Sequence, residues 1–243
     1  MGQNAQDKKS IADDSLNYKI LTLLKLVTKS PTLTFKENKS SAKLFELKML
    51  SNILACYKRV GSISVKNASG GILYLAGSPA SANKKKFSYF ELYKGNRLEY
   101  EVWISVQFIT LSYNLKLKCN GLSISNVPLS KIPHSAMHEI DVGIFRPTPD
   151  DNYYPSHESL CAGFSCKHLK PTKECVREAL GFRRETGFLS RDKPSSVSWF
   201  KPHLVPSKPP SPIYLASSSA NVLNYRDPVE LIGVYMLYAS FYA

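Results

Sequence analysis

The chain has 243 residues, 43% hydrophobic and 21% charged, with 32 Lys and Arg against 19 Asp and Glu for a formal net charge of +13. That composition can bury a core and excludes a disordered chain, while the length suits one large domain or a core with a small annex. The positive charge gathers polyanions, which makes nucleic acid the first partner to consider and an anionic membrane surface the second.

Residues 1–15 read as a frayed tail. The start, MGQNAQDKKS, is polar and carries no signal-peptide pattern, and Gln6 stands where a myristoylation signal wants Ser or Thr. Residues 16–29 suit a short helix or strand. A helix is expected over 41–60, because Leu44, Phe45, Leu47, Leu50, Ile53, Leu54 and Tyr57 recur at helical spacing. Ser40 or Ser41 caps it and Gly61 ends it. Strands are expected over 62–67, 71–77, 87–93 and 98–113, where aromatic and β-branched residues are dense. Gly95-Asn96 marks a hairpin turn, and 78–86 reads as a basic loop. Further strands are expected over 137–145 (MHEIDVGIF), 160–167 (LCAGFSCK, buried on both faces) and 213–219. A helix over 172–186 starts at Thr172. Residues 194–212, rich in Pro and Ser, read as a linker or lid. Asp227 and Pro228 open a final helix, and the apolar stretch 231–243 packs on the core, being too short to span a bilayer. The fold expected is α/β, a central mixed β-sheet flanked by helices, with residues 1–40 as an extension of a domain over 41–243.

The five cysteines are odd in number and match no disulfide framework, so a reducing, cytoplasmic setting is expected. Cys161, Cys166 and Cys175 lie near His157 and His168 in sequence, but without a CxxC pair. Buried free thiols are the better reading than zinc. The chain contains no GxSxG, P-loop, HExxH or GxGxxG, which argues against elbow serine hydrolases, Walker NTPases, zincins and dinucleotide-binding domains.

The order strand, loop, strand, helix over 137–186 brings chemistry together. It sets Asp141 near one strand end and Lys167 at the end of the next. Ser165 and Lys167 share a face because strand periodicity is two. A carboxylate and a lysine meeting at a sheet edge of a basic protein suit phosphodiester hydrolysis. The carboxylate holds Mg²⁺, which polarises phosphate and acidifies water, and the lysine orients that water or steadies charge on phosphorus. The plain alternatives are a turn aspartate and a solvated lysine. A lysine directly after the apolar run CAGFSC is the less ordinary of the two.

Here the sequence resembles the PD-(D/E)XK, restriction-endonuclease-like superfamily of nucleases. HEIDVGIF resembles that family's first metal strand, and AGFSCKHLKPTKECVREALGFRRE its second strand, lysine and following helix. The helix around Phe45-Glu46 resembles the one that often adds an acidic residue. The likeness spans roughly residues 41–190 and implies a Mg²⁺- or Mn²⁺-dependent nuclease on DNA rather than RNA. It further implies Asp141 as metal ligand, the Cys166 backbone carbonyl as another, and Lys167 positioning or deprotonating the water. Restriction or phage defence is the setting implied, with a homodimer or larger complex serving double-strand cleavage. Ser165 departs from the family, standing where the second carboxylate belongs. Three outcomes stay open: Glu178 or Glu174 on the next helix supplies it, Glu139 helps, or the site is inactive and the fold only binds nucleic acid. Glu46 is a further candidate carboxylate. Lys170, Lys173, Arg177, Arg183 and Arg184, with Lys84, Lys85 and Lys86, are candidates to grip phosphates without reading sequence. His168 points away from Lys167 and is structural.

Overall fold

A computed structural model describes residues 3–35, 40–124, 127–148, 150–186, 188–189, 206–208 and 212–241. The helices are α1 (Gln3–Thr28), α2 (Ser41–Tyr57), α3 (Leu111–Cys119) and α4 (Lys173–Glu185). The strands of the main sheet are β1 (Ser62–Lys66), β2 (Tyr89–Lys94), β3 (Arg97–Ile109), β4 (Met137–Phe145), β5 (Leu160–Lys167), β6 (Ile213–Ser217) and β7 (Val234–Tyr238). They form one seven-stranded mixed sheet in the order β7-β6-β5-β4-β3-β2-β1. Neighbours from β1 to β5 are antiparallel, whereas β5, β6 and β7 run parallel. Parallel neighbours need a crossover, and α4 lies in the one from β5 to β6.

Helices cover both faces. On one side α1 and α2 pack Leu24, Phe45, Leu47 and Leu50 against Val102, Ile104, Val142 and Phe164. On the other, α4 sets Val176, Ala179 and Phe182 against Phe108, Ile140, Ile213 and Leu215. The α/β fold with a mixed, helix-flanked sheet is the architecture expected from the pattern. β4 and β5 fall on the expected boundaries, and the Gly95-Asn96 turn joins β2 to β3 with Gly95 at φ 59°. Ser40 is the cap of α2: its Oγ accepts the N–H of Lys43 at 3.3 Å.

Other expectations need correction. Residues 3–15 are helical, not a frayed tail, and α1 is no appendage. Leu16, Ile20, Leu24 and Val27 recur every three or four residues and are buried in the α2 core. In 71–77 only Ile72–Leu73 is a strand, paired with Thr34–Phe35, and the next N–H, of Tyr74, goes to Ser88 Oγ at 2.9 Å. The strand expected over 98–113 ends at Ile109. Thr110 Oγ accepts the N–H of Tyr113 at 3.3 Å and starts α3 instead. The final helix is replaced by one 3-10 turn, Val229–Ile232, and then β7. Gly233 at φ 81° stops the turn, and buried Val234 and Met236 alternate with exposed Tyr235, a strand's period. β7 is the last strand of the sheet, and Glu230 Oε1 accepts the N–H of Met236 there at 3.2 Å. Within 194–212, Pro206–Lys208 pairs with Phe188–Leu189, and the rest up to 211 lies outside the described residues.

Because α1 belongs to the core, Leu24→Ala is expected to destabilise the protein by about 2–5 kcal/mol in denaturant unfolding. A change below roughly 0.5 kcal/mol, the size of an ordinary surface substitution, contradicts that packing.

Candidate active site

Side chains along a strand alternate between faces, and in β3 and β4 that alternation reverses at one place. Val102 and Ile104 face α2, but Val106 and Phe108 face α4. On β4, Val142 faces α2 and Ile140 faces α4. The residues between are Ser105 and Asp141, which fall together in the gap between the Ile104–Val142 and Val106–Ile140 pairs. Ser105 makes the reversal at φ 49°, a left-handed conformation that few residues other than glycine adopt.

The ladder between β4 and β5 ends beside this point, at Val142 and Phe164. Beyond it β5 continues along β6 to Lys167, while β4 continues along β3 to Met137. Parting leaves the N–H of Cys166 without a ladder partner, and Asp141 supplies one. Its Oδ2 accepts that N–H at 2.6 Å, so the carboxylate lies along the sheet toward β5. The N–H and C=O of a strand residue point the same way, so the Cys166 carbonyl faces the same fork.

The fork opens into a cleft under α4. Glu139, Asp141, Lys167 and Glu178 line it, with His138 and Phe182. Lys167 Nζ lies 3.0 Å from Glu178 Oε2, with the two side chains 29% and 42% exposed. Burial pushes the Asp141 carboxyl up to about 6, against the Cys166 N–H and Lys167, which favour its charge, while Glu139 and Glu178 push it further up. Burial works against the charge on Lys167, but Glu178 and Asp141 outweigh it and hold the ammonium above its ordinary range.

α2 brings a second ion pair to the fork. Lys43 Nζ lies 2.6 Å from Glu46 Oε2 and donates to Ser105 Oγ, also at 2.6 Å. Burial raises the Glu46 carboxyl to about 7; Lys43 opposes this, and Asp141 and Glu139 add to it. Four carboxylates thus share one region, and Asp141 and Glu139 act on Glu46 through space.

The donors available suit a hard divalent cation, since they are carboxylate and carbonyl oxygens. Asp141, with the Cys166 carbonyl, would be the first ligand set, and Glu46, Glu139 or Glu178 would complete it. Among the described residues, though, no three His, Cys, Asp or Glu side chains are gathered as a ready-made metal centre. Glu178 is held by Lys167 and Glu46 by Lys43. Ser165 supplies no carboxylate. It is 1% exposed, and its Oγ has no hydrogen-bond partner among the described residues.

Other candidates lie elsewhere. Glu174 pairs with Arg177 at the surface of α4, 3.6 Å apart. Lys170 and Lys173 are exposed. Arg183 Nε donates to the Ile232 carbonyl at 2.7 Å. Lys84 is not open to phosphate: its ammonium lies 2.6 Å from the fully buried Glu101, which also accepts the Tyr153 hydroxyl at 2.8 Å. Lys85 pairs with Asp151 at 2.7 Å, and Lys86 Nζ sits 5.1 Å from the centre of the Phe87 ring. His168 packs its ring 4.1 Å from that of Phe241, on the α2 side and away from Lys167. All five cysteines are free thiols. Sequence reasoning missed Lys43 and Ser105. Lys43 precedes Glu46 by three residues, the spacing of a helical ion pair, and Ser105 is a lone hydroxyl inside an apolar strand.

The chain matches no family model, no curated protein and no solved structure.

Glu46 has a folded pKa near 7 against an ordinary 4.5. A carboxyl raised in this way supports the fold fully below its unfolded pKa, and that support is lost as pH rises through 7. Glu46→Gln removes the loss. The melting temperature of the variant minus that of wild type, measured in EDTA, is expected to climb between pH 4.5 and 7.5. A flat difference contradicts the burial of this charge.

Proposed function

We propose that the protein is a metal-dependent nuclease that hydrolyses phosphodiester bonds in DNA, on a restriction-endonuclease-like core. The observation that carries this reading is the fork of β4 and β5, which turns Asp141 and Lys167 into one cleft beneath α4. Support also comes from the order of parts: α2 with Glu46, then β4 with Asp141, β5 with Lys167, and α4 with Glu178.

In this reading Asp141 and the Cys166 carbonyl hold Mg²⁺ or Mn²⁺, with Glu178, Glu46 or Glu139 replacing the carboxylate that Ser165 lacks. The ion, when bound, polarises the phosphate and lowers the pKa of a water. Lys167 stands within the charge field of Asp141 and keeps its proton, which fits it to steady negative charge on phosphorus and to orient the attacking oxygen. Exposed Lys170, Lys173 and Arg177 border the cleft's helix and would position the DNA backbone. Restriction or phage defence is the setting that the sequence resemblance implies.

A second reading, a DNA-binding module without catalysis, draws support from Ser165 and from the lysine pairing of Glu178. Nicking of supercoiled plasmid in Mg²⁺ or Mn²⁺ separates the two. Wild type is expected to nick, and Asp141→Asn and Lys167→Ala to lose about 10²-fold or more in rate, the size typical for removing an electrostatic catalytic group. Binding of labelled duplex without any cleavage supports the module instead.

A further inference from the structure

Lys43 is a charged group at the fork to which neither the resemblance nor the nuclease reading assigns a part. Its side chain is 12% exposed, and that of Glu46 is 15% exposed. An ammonium in such a place is costly unless paired, and two of its three protons are used, on Glu46 Oε2 and Ser105 Oγ. Ser105 in turn is fixed by the strand reversal, in the same gap of the ladder as Asp141. Lys43 is thus anchored at the strand reversal that lies beside the fork. Its field reaches beyond Glu46: it opposes the upward shift that burial, Asp141 and Glu46 impose on the Cys166 thiol. A cation arriving beside Asp141 and Cys166 would feel that field as repulsion.

We propose that Lys43 is a built-in counter-ion of the metal site, its ammonium occupying the Glu46 carboxylate until a divalent cation displaces it. The inference rests on the metal reading of the fork and deepens it, since Lys43 neutralises Glu46 in the resting protein and weakens its hold on metal. A like charge held near a bound dication opposes its binding, and each 1.4 kcal/mol of that repulsion weakens the affinity tenfold. Lys167 differs in being more exposed and in pairing with Glu178, both lining the cleft under α4.

The test is Mn²⁺ titration by calorimetry at pH 8.5, with folding of each variant checked by circular dichroism. Lys43→Gln is expected to bind Mn²⁺ at least about tenfold more tightly than wild type. Lys43→Arg keeps the charge and is expected to stay within about twofold of wild type. In a Glu46→Gln background the gain from Lys43→Gln is expected to shrink, because the carboxylate it frees is gone. If Asp141→Asn abolishes Mn²⁺ binding but Lys43→Gln leaves it unchanged or weaker, the counter-ion assignment fails and the metal site stands. If no variant binds Mn²⁺, both fail.

Discussion

The site depends on one hydrogen bond, from the backbone of Cys166 to the carboxylate of Asp141. A sheet strand cannot leave its neighbour without stranding a donor, and a stranded buried donor costs on the order of 1–3 kcal/mol. Asp141 removes that cost by taking the place of the missing ladder acceptor. β5 can then follow β6, and β4 can follow β3, with polar groups in the space between. The same bond holds the carboxylate in the plane of the sheet, where an ordinary alternating side chain would not lie. Architecture and chemistry meet in a single acceptor.

The surroundings of that bond work against charge. Burial raises Asp141 and Glu46, and each negative neighbour adds to the effect. Two lysines, on α2 and β5, offset this, each held on a glutamate. Two lysines therefore offset only part of the charge of four carboxylates, within a chain whose overall charge is strongly positive. The excess positive charge lies outside the cleft, in residues such as Lys170 and Lys173. Elsewhere Lys84 and the fully buried Glu101 make a similar pair, with the Tyr153 hydroxyl donating to the same carboxylate.

Much of this was legible in the sequence, and the exceptions have physical causes. β4 and β5 were readable because their apolar runs have sharp polar borders. α2 was readable from its spacing and its serine cap. β7 was misread because an apolar run of about a dozen residues suits helix and strand alike, and a single glycine, Gly233, decides between them. The first half of α1 was misread because its residues are polar, and its helicity continues from the buried half that docks on α2. At the site, Asp141 and Lys167 were visible as residue types after strand runs. The reversal at Ser105 was not, since nothing local in WISVQF announces a left-handed serine. Nor could spacing show that Lys43 reaches across to β3, a contact 62 residues away in sequence.

The margin of the sheet at β7 carries a consequence for assembly. Outward-facing N–H groups of a terminal strand invite a foreign strand to dock and lengthen the sheet. Glu230 lies across that rim and takes one of them, and its negative charge discourages an incoming backbone carbonyl. Lateral growth, strand added to strand, is thereby disfavoured at this border.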